Sequence, residues 1–240
     1  MPGTIDRTEV ERVVREVVLR HLRPADTAQA APSALVVNVS ARHMHVCQVD
    51  LDRLFGPGHR LTPLRPLHQE GHFAAEETVT LVGPKRRLIS NLRILGPVRS
   101  ATQIELAFSD AIALGLEDVP IRASGDTAGS AGAYVLGPAG MLEMKEGIIR
   151  AAMHVHMGPG DAERYGVRHK DVMRLRVGGP AGLVFEKVLV RVDPSFRLEV
   201  HMDTDEALRL DEADGVVPVR LLAHGALPFR GAHRAPPFGP

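Results

Sequence analysis

The sequence predicts a mainly β protein, a barrel or sandwich carrying short helices, and three observations lead there. From Ser33 onward, apolar residues fall in short runs rich in β-branched types: ALVVNVS, ETVTLVG, LISNLRIL, AYVLG, VMRLRVGG, LVFEKVLVRV and FRLEVHM. Glycine and proline, 23 and 18 of 240 residues, separate these runs at short intervals, as turns separate strands. A strand, a polar turn and a short helix also recur four times along the chain, which points to duplicated units.

Composition narrows the class of function. With 44% hydrophobic and 24% charged residues, the chain has the means to bury a substantial core as one large domain or two small ones. Acidic and basic residues balance at 29 each, which removes the basic footprint of a general nucleic-acid binder. Aromatic residues make up 4% with no Trp, so platforms for stacking bases are scarce as well. The single cysteine, Cys47, excludes an internal disulfide framework and fits a reducing cytoplasm. No apolar run approaches the roughly 18 residues of a membrane span. Charges interrupt the apolar residues of the N-terminus, so no secretory signal is expected either. The expectation is a cytoplasmic protein with no nucleic-acid and no membrane partner. Histidine, at 12 residues, is the unusual feature.

The chain opens on an amphipathic pattern. Val10, Val13, Val14, Val17, Val18 and Leu22 follow helical spacing and share one face, with Arg12, Arg15, Glu16 and Arg20 on the other. Asp6 and Glu9 resemble a capping box, and Pro24 ends the helix. Pro24 to Ala34 is small, polar and proline-containing, and reads as a flexible linker. A short, valine-rich helix is marginal alone in water. It is expected to dock on its own globular domain or a neighbouring copy, giving a homo-oligomer, or to serve as an address tag that docks elsewhere. At the other end, the segment after Leu222 is rich in Pro and Gly and reads as a disordered tail over residues 223–240.

The four repeats are RHMHVCQVDLDRLFG, TQIELAFSDAIALG, MHVHMGPGDAERYG and LEVHMDTDEALRL. Aligned on the acidic residue that opens each helix, Asp50, Asp110, Asp161 and Glu206 are equivalent. Five positions earlier stand His45, Glu105, His156 and His201, and two before those stand His43, Gln103, His154 and Glu199. In a strand, residues i and i+2 project from the same face. His43 with His45, and His154 with His156, are therefore pairs able to converge on one ion. A single H-x-H in a strand is as well explained by histidines bonded to backbone or water. Two such pairs in register with Glu105 and His201 strain that explanation. Five histidines and one glutamate exceed the four positions of a tetrahedral ion and suit two ions with positions left open for substrate. Imidazole-rich ligation favours zinc, cobalt, nickel or iron over magnesium or calcium. The remaining histidines, among them His59, His68, His72 and His169, read as surface residues.

These residues resemble the PduL-type phosphate propanoyltransferase family. The resemblance runs from about Val36 to Leu222 on VSARHMHV, LFGPGHRLTP, FAAEETVTLVGPK, LRILGPVRSATQIEL, SGDTAGSAG, GIIRAAMHVHMGPGDAERYGV and EVHMDTDEA. It implies two closed β-barrels with a dinuclear zinc site between them. Residues 35–42 and 152–222 would form the first barrel and residues 43–151 the second, so that the strand near Val36 to Ser40 joins the barrel of the C-terminal half. The implied reaction is acyl-CoA plus phosphate giving acyl phosphate plus CoA, with two Zn2+ bound and coenzyme A as substrate or product. The implied zinc ligands are His43, His45, Glu105, His154, His156 and His201, and the implied phosphate contact is Arg99.

Other parts of the chain gain a reading from the same resemblance. Members housed in bacterial microcompartments carry an N-terminal amphipathic helix and linker as an encapsulation peptide, and residues 1–34 match that description. Residues 1–23 would then engage a shell protein or co-encapsulated enzymes in the microcompartment lumen. Ser124, in the glycine-rich loop SGDTAGSAG, would offer donors to phosphate or to the nucleotide end of CoA, or else serve only as a turn. Cys47 stands where the family is expected to carry a polar residue. It is read as a small packing residue, with an acyl-enzyme thiol as the other possibility. From residue counting alone, a dinuclear zinc hydrolase acting on thioesters and a non-enzymatic zinc-binding module remain open. Acetyl and propionyl are equally open as the acyl group.

Overall fold

The computed structural model describes residues 35–177, 183–208 and 219–223. The amphipathic helix, its linker and residues 224–240 of the expected tail lie outside the described residues. The described part is mainly β, and its strands fall into two sheets.

The first strand, β1 (Val36–Ser40), is followed by β2 (His43–His45), helix α1 (Gln48–Phe55), β3 (Pro63–Pro66), β4 (Phe73–Val82) and β5 (Leu88–Gly96). Next come β6 (Gln103–Glu105), α2 (Phe108–Leu114), β7 (Ile121–Arg122), β8 (Ala131–Leu136) and β9 (Met141–Ala151). The chain continues through β10 (His154–Met157), α3 (Pro159–Tyr165), β11 (Val172–Val177), β12 (Leu183–Val192), β13 (Glu199–Asp203), α4 (Thr204–Ala207) and β14 (Val219–Ala223).

The larger sheet runs β3-β4-β5-β2-β6-β9-β7. Strand β8 pairs with both β4 and β9, so β4, β5, β2, β6, β9 and β8 close into a six-stranded barrel. Closure leaves those six strands without a free edge. The other sheet runs β1-β13-β10-β12-β11-β14 among the described residues. Its strands come from the C-terminal half except for β1, which lies parallel to β13 with Asn38 opposite His201.

Each sheet buries one face in its own apolar core. Met44, Leu92, Ile94, Ile104 and Ile148 are fully buried inside the closed barrel. Val155, Met157, Met173, Val190 and Val200 play that part under the second sheet. Burying such a side chain contributes roughly 1.5–3 kcal/mol. Strand alternation then decides what faces away from the core: with Met44, Ile104, Val155 and Val200 pointing in, their neighbours on either side point out.

The four repeats are four strand–helix units: β2–α1, β6–α2, β10–α3 and β13–α4. In each, the residue before the helix is extended, and the aligned acid lies in the first helical turn, where the helix dipole favours a carboxylate. Two of the acids reach back to the cap: Asp110 Oδ2 accepts from Ala107 N at 3.3 Å and Glu206 Oε2 from Asp203 N at 2.9 Å. Asp203 returns the bond by accepting from Glu206 N at 2.7 Å, completing a capping box. The units differ in sequence but turn the chain the same way.

The assigned inward face of β5 is open to test by denaturant melts. Ile94→Ala is expected to cost about 2–5 kcal/mol by emptying a core position. Leu88→Ala, at a residue 60% exposed on the same strand, is expected to change stability by less than about 0.5 kcal/mol. Equal losses would contradict the assigned face.

Candidate metal and active site

The strand ladders bring the repeat positions together two by two. Strand β2 pairs antiparallel with β6, setting His43 opposite Glu105 and His45 opposite Gln103. Strand β10 pairs antiparallel with β13 in the same relative register, setting His154 opposite His201 and His156 opposite Glu199. Directly opposed residues share a face, with Cβ atoms about 4.5–5.5 Å apart. Two groups of three donors result: His43, His45 and Glu105 on one sheet, and His154, His156 and His201 on the other. Within each group the candidate ligand atoms all lie within 4.8 Å of one another.

In the first group, His43 Nε2 is 3.2 Å from His45 Nε2 and 3.6 Å from Glu105 Oε2. Two donors on one tetrahedral zinc at 2.0–2.1 Å are about 3.3–3.4 Å apart, so these spacings suit a shared ion. His43 Nδ1 lies 2.9 Å from Ala41 O, and His154 Nδ1 lies 2.8 Å from Ala152 O. A carbonyl can only accept, so each Nδ1 carries the proton and each Nε2 keeps its lone pair for an ion. In the second group both ring nitrogens of His156 are buried without a hydrogen-bond partner. His201 Nε2 also lacks one in good geometry, although Glu199 Oε2 is 3.0 Å away. Buried polar atoms left unpaired cost about 1–3 kcal/mol each, so the donor set fits a bound metal better than an empty polar pocket.

Electrostatics favour the ligating form of these side chains. Burial pushes the His45 imidazole down to about 2, with His43 and Arg99 adding to the effect. Burial likewise lowers His154 to about 3, helped by His201, and lowers His156 further with help from His154 and His201. All three imidazoles are neutral at pH 7, the state a metal requires. Burial by itself raises the Glu105 carboxyl, but His43, His45 and the Ser124 hydroxyl outweigh it and hold the group below its usual range.

A cavity of about 530 Å³ is lined by both groups together with Arg99, Ser124 and Arg191. Arg99 is fixed at its backbone by a bond from its N–H to Val46 O at 2.9 Å, and its Nη1 donates to Ser124 Oγ at 3.2 Å. Gln103, only 3% exposed, ties these parts together. Its Nε2 donates to Glu105 Oε1 at 2.6 Å and to Ser124 Oγ at 2.9 Å, and its Oε1 accepts from Gly125 N at 2.7 Å. Gly125 has φ +99°, a conformation L side chains rarely adopt, and that turn aims its N–H at Gln103. Cys47 caps α1 instead. Its thiol donates to Asp50 Oδ2 at 3.3 Å, a carboxylate also bonded by Thr102 Oγ1 at 2.6 Å, which fits the packing reading.

Comparison with known proteins identifies the frame that holds this site. A family model described as phosphate propanoyltransferase matches residues 36–211. A phosphate propanoyltransferase of Planctopirus limnophila is 48% identical over 217 residues, covering 87% of this chain and 88% of the relative. One from Thermotoga maritima is 49% identical over 174 residues, covering 72% and 82%. Another from Lachnoclostridium phytofermentans is 46% identical over 205 residues, covering 85% and 93%. The chain belongs to the phosphate propanoyltransferase family. It is an acyltransferase, which sets aside the non-enzymatic module.

Some residues of this acyltransferase's site escaped the sequence. Gln103 and Glu199 were visible as repeat positions, but nothing in the sequence showed that Gln103 bridges Glu105 and Ser124. Gln69, in the β3–β4 loop, donates to Glu199 Oε2 at 2.6 Å and to Arg197 O at 3.1 Å, while its Oε1 accepts from Arg197 N at 3.0 Å. That clamp joins the two sheets across 130 residues of sequence. His68 and His72, read as surface residues, border the cavity. His59 is half-buried, with Nε2 2.9 Å from Glu77 Oε1.

The depressed imidazoles give the metal-free protein a pH signature. Unfolded, these histidines take up protons near the ordinary 6.5, whereas folded His45 and His154 resist down to about 2 and 3. The unfolded state thus binds more protons below 6.5, and stability falls as pH falls. Each buried imidazole contributes up to about 1.4 kcal/mol per pH unit. The lowered Glu105 carboxyl acts only below its own ordinary value of 4.5. Melting temperatures of chelator-treated protein are expected to be level above pH 6.5 and to drop steadily toward pH 5, less so in His45→Gln. A level profile throughout would contradict buried neutral imidazoles.

Proposed function

We propose that this acyltransferase moves a short acyl group, acetyl or propionyl, between coenzyme A and inorganic phosphate in a zinc-dependent reaction. The observation that carries the reading is the pair of donor triads facing one cavity beside Arg99, in a chain whose relatives are named phosphate propanoyltransferase. His43, His45 and Glu105 would hold one zinc ion, and His154, His156 and His201 the other. Bound there, zinc supplies a Lewis acid and an acceptor for a thiolate.

The chemistry asked of the protein's own residues is binding and orientation. A phosphate oxygen attacks the thioester carbonyl carbon, a C–O bond forms, the C–S bond breaks, and the CoA sulfur leaves with the electron pair. Phosphate is already ionised near neutral pH, so no strong general base is required. Arg99 presents a planar fork of donors matched to a phosphate's oxygens. Ser124 steadies that fork and lies where the loop turns at Gly125. Gln103 acts as a positioning residue by fixing Glu105 and Ser124 at once. The burial of the imidazoles keeps water away from the reacting groups and strengthens every charge interaction there.

The wider proposal follows the sequence. The second sheet would close as a second barrel from residues 35–42 and 152–222, against the barrel of residues 43–151. Residues 1–34 would serve as an encapsulation peptide that places the enzyme in a microcompartment lumen by binding a shell protein or co-encapsulated enzymes. Among the described residues no helix is long and apolar enough to cross a membrane.

The test is release of CoA from acetyl-CoA and propionyl-CoA by zinc-loaded protein, with and without phosphate. Phosphate-dependent release with accumulation of acyl phosphate is the expected result. Release that ignores phosphate would instead mark a zinc thioester hydrolase. Arg99→Ala is expected to lower turnover by about 100-fold and to raise the phosphate requirement, with zinc content unchanged. Loss of zinc in that variant would overturn the role given to Arg99.

A further inference from the structure

Five arginines line the cavity; Arg65 is exposed, and Arg42 and Arg93 are engaged. Arg42 Nη1 is held by Asp110 Oδ1 at 2.7 Å. Arg93 Nη1 donates to the carbonyls of Ala75 and Glu76, each at 2.9 Å. Arg191 is different. It lies on β12 directly beside His156 of β10 in the parallel ladder, so both side chains leave the sheet on the same face. It lines the same cavity as Arg99, which comes from the β5–β6 loop of the closed barrel. Among the described residues Arg191 forms no ion pair and no side-chain hydrogen bond, and its closest ring contact is Phe196, 5.7 Å from guanidinium carbon to centroid.

The two cavity carboxylates are already engaged. Glu105 is bonded by Gln103 and lies 3.6 Å from His43, while Glu199 is bonded by Gln69 and lies 3.0 Å from His201. Arg99 and Arg191 therefore border one cavity, and among the described residues neither guanidinium is held in a salt bridge by a carboxylate. Burial lowers both, Glu105 opposes that lowering in both, Asp193 opposes it at Arg191 as well, and Arg191 lowers Arg99 further. A pair of like charges held this way is repulsive until an anion sits between them.

We propose that Arg191 is a second anion contact of this site, opposing Arg99 across the cavity and binding a phosphoryl group of the substrates. The inference rests on the phosphate acyltransferase reading above and names a residue that reading does not use. A phosphoryl dianion matches two planar forks better than one, because each fork satisfies two oxygens at once. The same chemistry is available from two sources, inorganic phosphate and the phosphates of coenzyme A. Placed beside His156, Arg191 also ties the anion to the second donor triad, so that both sheets, and not the closed barrel alone, hold the substrate.

The experiment is calorimetric titration of zinc-loaded wild-type protein and Arg191→Gln, separately with inorganic phosphate and with coenzyme A, alongside zinc content and melting temperature. Arg191→Met, which keeps an aliphatic stem against Phe196, is the second variant in case the glutamine change disturbs folding. The expected result is at least about tenfold weaker binding in one titration, with zinc content and melting temperature unchanged. Weaker phosphate binding assigns the contact to inorganic phosphate, and weaker CoA binding alone assigns it to the cofactor's phosphates. Unchanged affinity in both titrations, in a variant that folds and holds zinc, overturns the inference and leaves the acyltransfer reading standing. Wild-type protein that binds neither ligand would sink that reading, and this inference with it.

Discussion

The site depends on register in two very short antiparallel ladders. Strands β2 and β6 hold three residues each, yet their pairing sets His43 against Glu105 while Met44 and Ile104 lock the reverse face into the barrel core. Strands β10 and β13 repeat the arrangement with His154 against His201 over Val155 and Val200. A slip of one residue in either ladder would turn every imidazole into the apolar core and every core residue into the cavity. The hydrophobic cores thus do more than stabilise the fold. They fix which side chains are free to meet an ion, and they do so on rigid strands rather than mobile loops.

Around that fixed register, a second set of contacts restrains the donors. Backbone carbonyls at Ala41 and Ala152 choose the tautomer of His43 and His154. Gln103 and Gln69 occupy comparable places on the two sides, each bonding a buried glutamate beside a histidine. Neutral amides serve here because they satisfy a carboxylate without adding charge to a cavity already bordered by Arg99 and Arg191. Metal affinity is sensitive to such supporting contacts.

Much of this was legible in the sequence because a repeat and a period of two are local signals. Aligning four segments on Asp50, Asp110, Asp161 and Glu206 singled out the same six donors that the two ladders gather into triads. The helix-opening acids were legible for the same reason, since capping acts within one turn. What the sequence could not show is set by long-range pairing. Nothing local in Ala131–Leu136 says that β8 bridges β4 and β9 to close the barrel. The Gln69–Glu199 clamp and the placement of Arg191 beside His156 likewise join segments far apart in the chain. His68 and His72 sit in a loop whose composition reads as surface, and only the fold brings them to the cavity's border.

In the proposed site each ladder holds its own zinc ion. Anomalous diffraction from crystals grown with zinc, recorded at the zinc edge, tests it most directly. Two separate peaks are expected, one within bonding distance of His43, His45 and Glu105 and the other within bonding distance of His154, His156 and His201. A single peak shared by both triads, or none at either, would contradict it.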